Sequence, residues 1–262
     1  MKHVAFASVL LAAVVVLSQS LARAQGRGGE TPTPPTSPQA AAPIDLTGNW
    51  VAIVTEDWRW RMVTPPKGDY ASVPLNDAGR KVADTWDMSK DGRCEAYGAA
   101  ALLRMPTRLR ITWESSSILR IDTDAGQQTR RLFFDKSRQP PTARALQGFS
   151  LAEWERPGRA GGGGGGGRGD GLQTGPAPGA NLKVVTTRLT GGWLRKNGVP
   201  YSEEATMTEY FDRFAAPNGD EWLVVTTIVT DPKYLNQDFV TSSHFKKEAD
   251  GSKWSPSPCK AG

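Results

Sequence analysis

The chain has 262 residues, 32 of them basic and 27 acidic, with two cysteines and two histidines. The formal net charge of +5 is scattered in short clusters such as Arg108/Arg110 and Lys246-Lys247, which argues against a nucleic-acid partner. Only His244 lies beyond the N-terminal leader, so a zinc site of two or three histidines is excluded; no metal and no cofactor is expected.

Lys2 and His3 precede an almost wholly apolar run from Val4 to Leu17, and Ala22-Arg23-Ala24 supplies the small-x-small pattern cut by a signal peptidase. An apolar run of about 14 residues is too short to span a bilayer and has the length of a secretory h-region. Residues 1–24 are therefore expected to be a cleavable signal peptide of a secreted or periplasmic bacterial protein, with no membrane span after cleavage. Residues 25–43 are Gly, Thr, Pro, Ser and Ala with hardly a large apolar side chain. Such a stretch buries too little to offset its ordering entropy and reads as a disordered linker. A single domain is expected over 44–262.

Gly48–Thr64 reads as one long first strand, with Trp50, Ala52, Val54, Glu56, Trp58, Trp60 and Met62 on one face. Arg59 and Arg61 fall on the other face with Val51, Ile53, Thr55 and Asp57. In one reading the tryptophans pack inward and the charges are solvated. In the other a face lines a cavity, where Trp58 and Trp60 stack an apolar or sugar-like ligand or Arg59 and Arg61 hold an anion. Asn76 caps a predicted helix to about Trp86, and the Ala/Leu-rich stretch Glu95–Met105, stopped by Pro106, predicts a second. Both would plug or lid one end of the fold.

Strands dominate the rest of the chain. Leu109, Ile111 and Trp113 alternate with polar neighbours, and so do Leu119, Ile121 and Thr123 beyond the turn at Ser115-Ser116-Ser117, which predicts a hairpin. Further runs at Thr129–Asp135, Phe149–Glu155, Leu182–Leu189, Ala205–Phe214, Glu221–Val229 and Phe239–Phe245 bring the total to eight or nine strands. The pattern predicts an all-β fold, an antiparallel meander closing into a barrel with one or two short helices. Residues 157–180, with seven successive glycines at Gly161–Gly167, read as a disordered insertion. They lack the Lys-Ser/Thr of a P-loop.

Glu209 shares a strand face with Ala205, Met207 and Phe211, and Glu153 shares one with Phe149 and Leu151. A carboxylate among apolar neighbours is costly unless paired, so each is either a salt-bridge partner or a candidate general acid/base. Tyr210, beside Glu209, is a candidate ligand contact. His244 is either a hydrogen-bonded structural histidine or a general base. Gly148-Phe149-Ser150-Leu151-Ala152 approaches the G-x-S-x-G pattern but lacks its last glycine. Thr230-Asp231-Pro232-Lys233-Tyr234 is turn chemistry with Tyr234 packing back. Cys94 and Cys259 are expected to pair in an oxidising compartment and pin the Pro-rich tail to the body.

Gly48-Asn49-Trp50 resembles the Gly-x-Trp that opens the first strand of lipocalin-like (calycin) barrels. That resemblance implies a Trp closing the barrel floor beneath a cation from the last strand, here Lys246 or Lys247, and a ligand cavity inside. More broadly, Asp45-Leu46-Thr47-Gly48-Asn49-Trp50, Gly148-Phe149-Ser150, Trp154-Glu155, Glu209-Tyr210-Phe211 and Asp231-Pro232 resemble a group of secreted bacterial proteins with a D-L-T-G-x-W start. Three functions follow as expectations. The first is a lipocalin-like carrier of a small, largely apolar or aromatic ligand, with Trp58, Trp60, Arg61, Glu153 and Tyr210 in its site. The second is a metal-free lyase, isomerase or hydrolase on the same barrel, with Glu209 or His244 as acid/base and Arg59 or Arg61 stabilising an anion. The third is a surface or interaction protein without a cavity.

Overall fold

The computed structural model describes residues 36–87, 89, 94–155 and 180–259. The expected signal peptide, the first part of the linker and all of the Gly-rich insertion but Ala180 lie outside them. Four segments precede the hairpin: strand β1 (Gly48–Ile53) and three short helices, α1 (Trp58–Arg61), α2 (Asp77–Asp84) and α3 (Ala99–Leu102). The hairpin itself is β2 (Arg108–Ser115) and β3 (Ile118–Thr123), followed by β4 (Ala125–Gly126), β5 (Thr129–Phe133), β6 (Phe149–Glu155) and β7 (Asn181–Thr187). A small hairpin of β8 (Gly192–Arg195) and β9 (Val199–Tyr201) leads into the long strands β10 (Thr206–Ala215), β11 (Glu221–Thr230) and β12 (Phe239–Glu248), and β13 (Ser257–Pro258) is the last strand among the described residues.

Nine strands close into a barrel in the order β1-β12-β11-β10-β7-β6-β5-β3-β2. The all-β barrel with few helices is thus as the alternation predicted, with one departure from a pure meander. β5 and β6 are parallel and pair through only two positions, Leu132 with Ser150 and Phe133 with Leu151. Pro140 and Pro141 lie in the connection between them, where neither residue has a backbone N–H to give a ladder.

The first strand is shorter than expected. β1 stops at Ile53, Asp57 takes a left-handed backbone (φ 53), and Trp58–Arg61 turns into helix. The alternation of charge and apolarity from Glu56 onward therefore belongs to a helical turn outside the barrel wall. Asn76 caps α2 as predicted, its side chain accepting from the Gly79 N–H at 2.9 Å. Gly79 and Ala83 are the buried positions of α2, and a Cβ at Gly79 would stand 2.5 Å from the Tyr234 carbonyl, so only glycine allows this approach. Glu95–Tyr97 is a 3₁₀ turn that runs into α3.

The barrel is filled by its own side chains in two apolar masses. One gathers Trp50, Ile111, Leu119, Leu182, Phe211 and Phe245 at the end where β1 begins. The other lies toward the opposite end, where Tyr201, Leu194, Met207, Val229 and Phe239 pack beneath β8, β9 and α3. Arg130 on β5 and Glu209 on β10 sit within the wall-to-wall interior, both side chains at 0% exposure. Arg130 Nη1 donates to Glu209 Oε1 at 2.9 Å and Nη2 to Oε2 at 2.6 Å, and Nη2 also reaches Thr186 Oγ1 at 3.3 Å. Thr186 in turn shares a 2.8 Å hydrogen bond with Ser150.

The C-terminal tail returns to the body in two ways. β13 pairs in parallel with β4, and Cys94 and Cys259 are disulfide-bonded with their Cα atoms 5.6 Å apart. The Thr230–Tyr234 turn is held by buried Asp231, whose carboxylate accepts from the Ser202 N–H (2.6 Å), the Ser202 hydroxyl (2.8 Å) and the Lys233 N–H (3.0 Å).

Glu209→Gln should leave the Arg130 cation without a counter-charge inside the barrel. It should lower unfolding free energy by about 3–5 kcal/mol, whereas the double change Arg130→Met with Glu209→Leu should recover most of that loss. Urea unfolding of the three proteins checks this; a loss below about 1 kcal/mol for the single change would contradict a sealed pair.

Candidate ligand-binding site

At the end where β1 begins, the chain folds across the barrel instead of leaving it. Residues 36–43, expected to belong to a disordered linker, form turns against the wall: the Gln39 N–H donates to the Ser116 carbonyl at 3.1 Å, and Trp154 Nε1 donates to the Pro38 carbonyl at 2.9 Å. The next residues, Ile44–Thr47, are held from both sides. Asp45 accepts from the Thr47 N–H (2.9 Å) and hydroxyl (2.7 Å), while the buried Trp50 indole donates to the Leu46 carbonyl at 3.0 Å. Lys247 Nζ stands 5.6 Å from the Trp50 ring centroid, a cation–π contact, while Lys246 is directed to Asp220.

Between this crossing segment and the barrel wall is a cavity of about 360 Å³. Trp113, Trp154, Ile44, Leu46 and Leu119 supply its apolar surface, and Gln39, Asp45 and Thr47 its polar edge. Trp113 is near the end of β2, where the register with β3 shifts. Trp154 is near the end of β6, and Phe134, just past β5, bridges the two, its ring centroid 5.4 Å from each. Three neighbouring strand ends thus build one aromatic surface. Its volume is in the range of small-molecule sites, and its lining joins two indoles and aliphatic side chains to a comparable polar surface from Gln39, Asp45 and Thr47.

Burial pushes the Asp45 carboxyl up, but the two Thr47 hydrogen bonds and the charges of Lys247 and Arg213 outweigh it and hold it below its ordinary value. A carboxyl with a depressed folded-state pKa stabilises the fold above the ordinary carboxylate range and loses that contribution as pH falls through the folded value. Protonating Asp45 therefore removes the acceptor of both Thr47 hydrogen bonds in the 44–47 turn.

The residues singled out in the sequence do not meet in one place. Glu209 is inside the barrel with both carboxylate oxygens engaged by Arg130. His244 is flanked on β12 by buried Ser243 and Phe245, so it faces outward; its Nδ1 lies 3.1 Å from Glu56 and its Nε2 3.2 Å from the Ser242 hydroxyl. Arg59 is on α1, 60% exposed and 2.7 Å from Asp69. Glu209 and His244 thus lie on opposite faces of the barrel wall and do not converge on one pocket. Trp58 is 63% exposed, and Trp60 donates its Nε1 to Asp69 at 3.1 Å. Arg61 is buried, bonded to Glu56 and to the Arg104 carbonyl (2.8 Å). Tyr210 lies on the outer face of β10 opposite Lys183 and Thr226, and Glu153 lies on the outer face of β6, bonded to Lys136.

Trp113 and Trp154 were visible as members of alternating strands, yet nothing in the alternation marked them as neighbours. The missing signal was the parallel β5–β6 contact, which sets the end of β6 beside the end of β5. No protein-family model, curated protein or solved structure matches the chain.

The Thr47 amide resonance should titrate with a midpoint below the ordinary aspartate value and should stop titrating in Asp45→Asn. An NMR pH series checks this; a midpoint at or above the ordinary value would contradict the assignment.

Proposed function

We propose that the protein is an exported ligand-binding barrel that takes a small, aromatic or largely apolar molecule between Trp113 and Trp154. The observation that supports this reading most is the cavity of about 360 Å³ walled by those two tryptophans. The barrel interior argues the same way by elimination. Its centre holds fully buried side chains such as Ile121, Leu132, Val184 and Phe211, so the guest is received at the barrel end rather than in the lumen.

The chemistry of recognition is set by the lining. Indole faces offer large, rigid, polarisable surfaces, and aromatic pairing adds about 0.5–1.5 kcal/mol beyond area burial. Gln39, Asp45 and Thr47 at the edge give a polar substituent of the ligand something to bond. Export is supported by the disulfide between Cys94 and Cys259, which belongs in an oxidising compartment, and by the leader-like pattern of residues 1–24.

A neutral fluorescent aromatic, N-phenyl-1-naphthylamine, should bind saturably with enhanced emission. Trp113→Ala and Trp154→Ala should each weaken it at least tenfold, about 1.4 kcal/mol or more, with unfolding midpoints measured alongside as a control for folding. Absence of saturable binding, or equal affinity in both variants and the parent, would overturn the proposal. Mass spectrometry of small molecules co-purified from the native host would then identify the natural occupant.

A further inference from the structure

At the other end of the barrel, three arginines converge on one small cavity of about 20 Å³, lined by Trp60, Arg61, Arg104, Leu194, Arg195 and Lys196, among others. Arg61 ends α1, Arg104 and Met105 follow α3, and Arg195 ends β8, so three separate segments supply the charges. All three arginines are buried, with 3% exposure for Arg61, 7% for Arg104 and 3% for Arg195.

Their partners do not balance them. Arg61 is bonded to Glu56, and Arg104 Nη2 donates to Asp57 at 2.8 Å. Arg195 has no carboxylate within bonding distance among the described residues, and its Nε, Nη1 and Nη2 are buried without a hydrogen-bond acceptor. Arg104 Nη1 and Arg61 Nη2 are likewise buried and unpartnered. The guanidinium of Arg195 stands 4.7 Å from the Trp60 ring centroid, which orients it but accepts no N–H in its plane. Loss of solvent, and then the neighbouring Arg104 charge, outweigh the opposing charges of Asp57 and Asp69, which lie near without bonding to it, and pull the Arg195 pKa down to about 10, so it remains a cation at neutral pH. Burial likewise pulls the half-buried Lys196 down. Four cations line the cavity and, among the described residues, two carboxylates touch them.

An isolated buried guanidinium costs several kcal/mol unless it is paired and hydrogen-bonded. Guanidinium forks match the oxygens of carboxylate, sulfate and phosphate, and they do so best in an apolar surround such as Ala101, Met105 and Leu194 provide here. We infer that this cavity is an anion-binding site, in which Arg195, with Arg61 and Arg104, holds one small oxyanion group while Lys196 stands at its rim. A volume of about 20 Å³ admits one or two water-sized groups. The ligand is therefore a carboxylate, or one face of a sulfate or phosphate, either free or ending a larger molecule. The site stands apart from Trp113 and Trp154 and does not depend on the reading of that end.

Isothermal titration calorimetry with sodium acetate, sodium sulfate and sodium phosphate separates the three oxyanions. The full chain should bind at least one of them at a single saturable site and show a rise in thermal midpoint that saturates over the same concentrations. Arg195→Met should lose at least tenfold in that affinity, while its midpoint in anion-poor buffer should equal or exceed the parent's, because an uncompensated charge has been removed. Lys196→Met, a change at the rim, should weaken binding by a smaller factor, and Trp113→Ala should leave it unchanged. No saturable binding of any of the three anions would overturn the inference. So would an Arg195→Met protein that melts lower in anion-poor buffer yet binds the anion as tightly as the parent, since Arg195 would then be structural.

Discussion

Inside the barrel, both oxygens of Glu209 meet both terminal nitrogens of Arg130, and neither side chain touches solvent. Desolvating two such charges costs several kcal/mol each, and only close, two-pronged geometry with further hydrogen bonds offsets it. Thr186 accepts one such bond from Arg130 and is itself hydrogen-bonded to Ser150. The pair and the fully buried side chains around it, Leu132, Val184 and Phe211 among them, fill the middle of the barrel, and both oxygens of Glu209 are engaged there. The aromatic and cationic cavities lie at the barrel ends, and each end is built differently.

The end where β1 begins is closed by two local hydrogen bonds and one long-range contact: the Trp50 indole fastens Leu46, Asp45 fastens Thr47, and Lys247 from the last long strand covers the Trp50 ring. That closure leaves a cavity whose surface is aromatic. The far end is roofed by α1, α3 and the β8–β9 hairpin, whose contributions to the site are mostly cationic. One barrel thus presents an aromatic site and a cationic site, with the buried ion pair between them.

How much of this was legible in the sequence depended on range. Period-2 alternation located β2, β3, β5, β6, β7, β10, β11 and β12 to within a few residues, because each has one face in the apolar interior. The same alternation misled at Glu56–Met62, where charges and tryptophans alternate around a helical turn, Trp58–Arg61, outside the barrel wall. The β8–β9 hairpin carried a readable signal that went unused, Asn197-Gly198 between Leu194 and Val199. Gly198 there adopts φ +78, and a Cβ would stand 2.3 Å from Trp86, so the turn requires glycine. Glu209 was recognisable as a carboxylate that needed a partner, but Arg130 is 79 positions away and no local pattern names it. The aromatic and cationic sites were hidden for the same reason: each is assembled from distant segments whose register only the closed barrel fixes.

A crystal structure of the protein with N-phenyl-1-naphthylamine tests the central claim most directly. The account predicts ligand density against Trp113 and Trp154, beneath residues 44–47, with Arg130 and Glu209 still joined. Density between Glu209 and Phe211, inside the barrel and displacing that pair, would contradict it.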